Sequence, residues 1–316
     1  MAGTVPHSGP GETRSRRRLS QRANEELWAY IFISPWLIGF IVFTAGAMAY
    51  SLGVSFQETN FLNRSEFVGI ANYERMIDDP LFWKSVRVTF LYTGLTVPLS
   101  TALALGIALL LNQRLMLSSF LRTVYYLPAL VSGVAVALVW GWVLDETDGL
   151  LNNLLLLVGI TGPRWLGSEE WAVPSLVLIS LWGTGTNMLL YLAGLQSIPT
   201  ELKEAARIDG AGPFRSFFNV TLPLLTPTIF FNVVLNVISS FQVFDQAFVL
   251  TGGGPNNATL TMVMYLYQRG FGEYGQFEFG YASAIAWALF AIIFGFTVIL
   301  IRSQSRWVHY EGGLRQ

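Results

Sequence analysis

Cysteine is absent from the 316 residues, and histidine occurs only twice, as His7 and His309 near the two ends. The first absence excludes a disulfide framework, a thiolate metal site and a cysteine nucleophile. The second leaves no histidine-based catalytic centre inside the chain. Charge is scarce too: Asp, Glu, Lys and Arg make up 12% of the residues, against about 25% in soluble domains. No GxxxxGK[ST] pattern occurs, so the phosphate-cradling loop it marks is not encoded. The glycine-rich Thr251-Gly252-Gly253-Gly254-Pro255 has no lysine after it and reads as a tight turn.

What is present is apolar. Hydrophobic residues make up 53%, and the mean hydropathy is +0.48. Six apolar runs, at about 27–56, 86–111, 121–144, 172–195, 226–250 and 280–301, each exceed the ~20 residues that cross ~30 Å of hydrocarbon. The expected fold is an all-α membrane protein with six transmembrane helices and no separate catalytic domain. Residues 1–26, with Arg14, Arg16, Arg17, Arg18 and Arg22, read as a disordered basic cytoplasmic tail. Ala47-Met48-Ala49 mimics a signal cleavage site, but the run from Leu27 to Phe56 outlasts the 7–15 residues of a signal h-region. The transmembrane domain is placed at 27–305, and 306–316 reads as a second cytoplasmic tail.

With the N-terminus inside, thirteen of the nineteen basic residues fall on the inner side. Arg64, Arg75, Lys84, Arg87, Arg164 and Arg269 fall outside. The asymmetry favours both termini in the cytoplasm.

Polar residues inside spans are costly, so their pattern is informative. Asn232, Asn236, Ser239, Ser240, Gln242 and Gln246 occupy one sector of roughly 160° on a continuous fifth helix. Ser180, Thr184, Asn187 and Tyr191 form a row in the fourth, and Thr89, Thr93, Thr96 and Ser100 in the second. Such rows either glue helices together through hydrogen bonds or line a path for a polar solute. Asp145, Glu146 and Asp148, flanked by Trp140 and Trp142, are the one carboxylate cluster that a membrane enzyme such as a glycosyltransferase could use. Solvated loop charge is the default reading for it.

The most polar long interior segment, Leu202 to Leu225, reads as two short helices joined by a hinge. Pro199 and Thr200 start the first, with Glu201 and Glu204 in its first turn. Gly210 suits a left-handed stop, and Gly212-Pro213 opens the second. Glu204-Ala205-Ala206, Asp209-Gly210-Ala211-Gly212 and Leu222-Pro223-Leu224 resemble the cytoplasmic EAA coupling loop of carbohydrate-type, maltose-permease-like ABC importer permeases. The segments Glu66 to Tyr73 and Asp78 to Trp83 resemble the stretch before the second span in that family, with Phe82 and Trp83 as interfacial anchors. Val88-Thr89 stands where the family has Asn-Thr. The turn at 251–255 resembles the loop after the family's fifth core span.

The resemblance implies the type I importer permease fold, with a coupling loop at 198–223 whose Glu204, Ala205, Ala206, Asp209, Gly210, Ala211 and Gly212 engage an ATPase. It also implies a translocation pocket between the fourth and fifth core spans. Within it the polar rows and nearby aromatics nominate Asn187, Tyr191, Phe241, Gln242 and Asp245 for binding a sugar, expected to be a di- or oligosaccharide. Asp245, off the main stripe, is open to a sugar, a partner chain or water. Neutral amides, hydroxyls and aromatics suit polyols. The chain itself is expected to hold no cofactor or metal, to catalyse nothing and to bind no nucleic acid. ATP and Mg belong to two copies of a partner ATPase subunit. A second permease chain completes a heterodimer in the bacterial or archaeal cytoplasmic membrane, and an extracytoplasmic sugar-binding protein delivers solute. The rival solutes are glycerol-3-phosphate or another polar compound.

Overall fold

A computed structural model describes residues 14–59, 65–113, 116–272 and 277–309. Arg64, Arg114, Arg315 and His7 therefore lie outside the described residues, as do residues 1–13 and 310–316 of the expected tails.

The N-terminal body, up to Gly53, is helical. Helix α1 (Arg14–Gly39) passes through a π-helical turn over Phe40–Gly46 into α2 (Ala47–Ser55). α1 thus begins inside the stretch expected to be a tail. The apolar part, Trp28–Ser55, is long enough to cross a bilayer, and its most apolar window has no buried residue. Side chains such as Trp36 and Phe43 are exposed, as suits a surface that meets lipid rather than water.

The second body, Val54–Gln316, holds the rest. A two-stranded antiparallel ribbon of β1 (Gln57–Glu58) and β2 (Glu66–Phe67) leads into α3 (Ala71–Asp78). The long α4 (Pro80–Leu111) follows. Asp79 caps it, accepting from the backbone N–H of Leu81 at 2.9 Å, and Pro80 supplies the preset first turn. Next come α5 (Ser118–Tyr126), α6 (Gly133–Val143) and α7 (Leu150–Leu157). They precede α8 (Glu169–Trp182), α9 (Gly185–Ser197) and α10 (Thr200–Ile208). The short α11 (Pro213–Ser216) runs through a π-helical turn into α12 (Leu222–Phe241). α13 (Asp245–Thr251), α14 (Met262–Phe271) and α15 (Phe279–Trp307) complete the chain.

Four unbroken helices are long and apolar enough to cross a membrane: Trp28–Ser55, Pro80–Leu111, Pro213–Phe241 and Phe279–Trp307. Two bent helix pairs reach that length and hydropathy together. Ser118–Leu130 meets Gly133–Val143 at 100°, and Glu169–Trp182 meets Gly185–Ser197 at 50°. The first bend follows Pro128, which cannot extend a helix smoothly. The second falls at Gly183 and Thr184. The fifth crossing differs most from expectation. It starts at Pro213, well before Thr226, and stops at Phe241 rather than running on to Leu250.

α4 is the central strut, packed on α8, α9, α12 and α14. Its Ala104 and Ala108 are fully buried against Met188, Tyr191 and Leu192 of α9. Small side chains let these helices approach closely, which replaces the hydrophobic drive that lipid removes. A second cluster joins Val88 and Tyr92 to Val173, Leu176 and Val177 of α8 and to Ala247. A third joins Phe82 and Phe241 to α14 and α15. Phe82 is therefore core, not an interfacial anchor, whereas Trp83 is exposed and donates to the Ile77 carbonyl at 2.8 Å.

Candidate functional site: a cleft where three helices break

Unpaired backbone is expensive at membrane depth and is tolerated where it lines a polar cavity. Three interruptions converge on one cleft of about 460 Å³. Gly133 comes from the start of α6, Gly183 and Thr184 from the α8/α9 bend, and Gln242 to Asp245 from the α12/α13 break. α4 closes one wall with Tyr92, Thr96 and Ser100.

The break after Phe241 contains neither glycine nor proline. Its geometry is held from outside: Phe244 adopts φ −137°, ψ −59°, and the freed Val243 carbonyl accepts from the Thr261 hydroxyl at 2.9 Å. The same hydroxyl accepts from the backbone N–H of Met264 and so caps α14.

Asn187, Gln242 and Asp245 line the cleft together with Asn236, Ser240 and Gln246. Tyr191 and Phe241 do not. Tyr191 is fully buried in the α4/α9 core, and Phe241 packs its ring against Phe90 and Phe296. Phe244 and Tyr92 are the aromatics that reach the cleft. The rows also split. Thr96 and Ser100 face the cavity, while Thr89 accepts from the Met262 N–H at 2.9 Å and serves as helix glue. Sequence reasoning missed Tyr92, which sits one helical turn before Thr96 and so shares its face. Gly133 carried no signal beyond its place after the apolar run's Ser132.

Amides dominate the chemistry. Asn187 Nδ2 donates to Asn236 Oδ1 at 2.9 Å across α9 and α12. Asn236 Nδ2 and Gln246 Oε1 are buried without a hydrogen-bond partner among the described residues. Thr96 Oγ1 is buried without a partner as well, and a buried polar atom left unpaired costs roughly 1–3 kcal/mol.

The polar loop 198–223 forms a second feature. α10 starts at Thr200 after Pro199, with Glu201 in its first turn; Glu204 falls one turn later than expected. Gly210 has φ +78°. Its N–H donates to the Arg207 carbonyl at 3.0 Å, and the Ala211 N–H donates to the Ala206 carbonyl at 2.9 Å. This is the Schellman pair, which satisfies two carbonyls at the helix end. Gly212 is extended ahead of Pro213. Glu204, Ala205 and Asp209 are exposed, and Ala206 and Ala211 half-buried. Ile208 and Phe214 stand 87% and 81% exposed, so the loop presents apolar side chains with nothing over them in this chain.

The acidic cluster is structural. Asp145 accepts from Thr147 and from the Asp148 N–H, bonds that hold its carboxyl below the usual carboxylate range. Glu146 pairs with Arg164 at 2.7 Å. No group of ligands able to hold a metal occurs among the described residues.

A helical membrane body with a polar, amide-lined cavity at three helix breaks is the architecture of a solute permease. The chain belongs to the binding-protein-dependent transport system inner membrane components, whose family model matches residues 95–307. It is 40% identical to the probable ABC transporter permease protein YesP of Bacillus subtilis, over 96% of this chain and 98% of that one. It is 35% identical to the trehalose/maltose transport system permease protein MalF of Thermococcus litoralis, over 86% and 92%. In fold it is similar to a chain of the bacterial alginate ABC transporter crystallised with an alginate pentasaccharide-bound periplasmic protein. The TM-score is 0.80 at 22% identity, covering 92% of this chain and 98% of that one. The fold is that of type I ABC importer permeases.

Proposed function

We propose that the chain is the membrane-spanning subunit of an ATP-driven importer for a sugar, a di- or oligosaccharide, acting by alternating access. The observation that carries this is the cleft, lined by hydroxyls and amides from five helices, α4, α8, α9, α12 and α13. Saccharide hydroxyls both donate and accept, so hydroxyl and amide groups of either kind can pair with them, while the Phe244 ring offers an apolar face. A second permease chain completes the pathway, and two ATPase subunits bind ATP and Mg. An extracytoplasmic binding protein brings the sugar. The exposed α10–α11 loop, Glu204 to Gly212, is the surface that meets the ATPase, with Ile208 and Phe214 as its apolar contacts. Closure of the ATPase pair moves α10, and the continuous Pro213–Phe241 helix carries that movement towards the cleft. The thirteen inner basic residues favour a cytoplasmic position for this loop and for both termini.

The test is import by the assembled complex, co-expressed with its neighbouring transport genes and reconstituted with ATP on the ATPase side. Accumulation of saccharide that requires ATP supports the reading. Accumulation of glycerol-3-phosphate without any saccharide rejects it.

A further inference from the structure

The cleft contains one charged side chain and no cation. Among its lining residues only Asp245 carries a formal charge; the others are hydroxyls, amides, glycines, Val243 and Phe244. The Asp245 carboxylate makes no hydrogen bond and no ion pair among the described residues, and the residue is exposed to the cavity. It is also kept open by a missing side chain. A Cβ at Gly133 would stand 3.0 Å from Asp245 Oδ2, closer than ordinary contact. The carboxylate therefore lies beside the first residue of α6, whose N-terminal end carries partial positive charge and favours an anion there.

A lone carboxylate exposed to the cavity has two consequences. It accepts two hydroxyls at once from a vicinal diol, which neutral sugars supply in quantity. It also repels any anion brought alongside, and no Lys, Arg or His in the lining compensates. We propose that Asp245 sets the charge selectivity of the cleft: it admits uncharged saccharides by accepting their hydroxyls and turns away those bearing a carboxylate or sulfonate. This rests on the sugar-import reading above and assigns its substrate class.

The probe is a mixed hydrolysate of starch, arabinoxylan and glucuronoxylan, which offers neutral and uronate-bearing oligosaccharides together to the reconstituted importer. Mass spectrometry reads the ratio of uronate-bearing to neutral oligomers inside the vesicles against the ratio outside. For the natural protein the inside ratio falls at least about tenfold below the outside ratio. Asp245→Asn raises it by about tenfold while slowing neutral uptake, and Asp245→Glu keeps the natural discrimination. Co-purification of the partner subunits with each variant establishes that it assembles. Equal entry of uronate and neutral oligomers into natural vesicles overturns the proposal and leaves the sugar-import reading standing. An unchanged ratio in assembled Asp245→Asn overturns it as well. Vesicles that accumulate no saccharide at all overturn both.

Discussion

Asn187 on α9 donates to Asn236 on α12 at 2.9 Å, and in doing so leaves the other amide atom of Asn236 buried and unpaired at the cleft. One pair thus joins two helices at the wall of the cleft. Gluing alone is a small effect, about 0.6 kcal/mol and at most about 1.7 for an interhelical bond in a membrane. Asn187→Leu and Gln242→Ala are therefore expected to leave assembly intact but lower uptake by roughly tenfold, the loss of a hydrogen bond worth about 1.4 kcal/mol. Uptake by the assembled importer checks this. Normal transport by both variants would reduce the polar rows to helix glue.

A second prediction concerns acid. Asp79, whose side chain is 10% exposed, accepts from Tyr281 at 2.6 Å, from Tyr265 and from two backbone N–H groups. Burial opposes its charge, but the Tyr265 and Tyr281 hydroxyls and the backbone bonds outweigh that and hold its pKa below the ordinary 3.8. Burial, and then donation to Asp79, push the Tyr265 phenol up to about 12. A depressed carboxyl stabilises the fold fully above its unfolded value, and the contribution is lost as pH falls through the folded value. Thermal unfolding in detergent should thus show a fall in Tm below about pH 4 that is blunted in Asp79→Asn. Tyr281→Phe should cost roughly 1.5–3 kcal/mol at neutral pH, as expected for a bond to a charged acceptor. Identical acid profiles for Asp79→Asn and the natural protein would contradict the assignment.

How much of this was legible in the chain follows the range of the cause. The α10–α11 loop was, because Pro199, Gly210 and Gly212-Pro213 act on their own backbone. The α12/α13 break was not. Gln242-Val243-Phe244 carries no breaker, and what holds it open is a hydroxyl eighteen residues on, at Thr261. Phe241 was nominated as an aromatic beside the amides, whereas packing on Phe90 and Phe296 removes it from the cleft. Tyr191 fails for a different reason. It does follow Asn187 along α9, but α4 narrows there to Ala104 and Ala108 and the two helices close over it. Asp79 was legible as part of a motif, yet its partners Tyr265 and Tyr281 lie nearly two hundred residues away.

Orientation has a clean assay, because the chain has no cysteine of its own. A cysteine placed at Ser216 should react with a membrane-impermeant maleimide only from the cytoplasmic side, and one at Asn257 only from the other. Labelling with the sides exchanged would invert the basic-residue argument and remove α10 from reach of an ATPase.

The central claim is that α10 transmits force from ATP hydrolysis to the cleft, and coupled uptake tests it most directly. No atom lies within 4 Å of a Cβ added at Gly210, so the cost of a side chain there is the left-handed backbone alone, about 1–2 kcal/mol. Gly210→Val should misdirect the helix end, and Ala206→Trp should block its seat on the partner. Uptake and ATP hydrolysis are measured in the same vesicles carrying both changes, with and without loaded binding protein. The account predicts full membrane insertion, uptake lost, and hydrolysis either absent or no longer responsive to the binding protein. Normal uptake together with normal ligand-stimulated hydrolysis would contradict it.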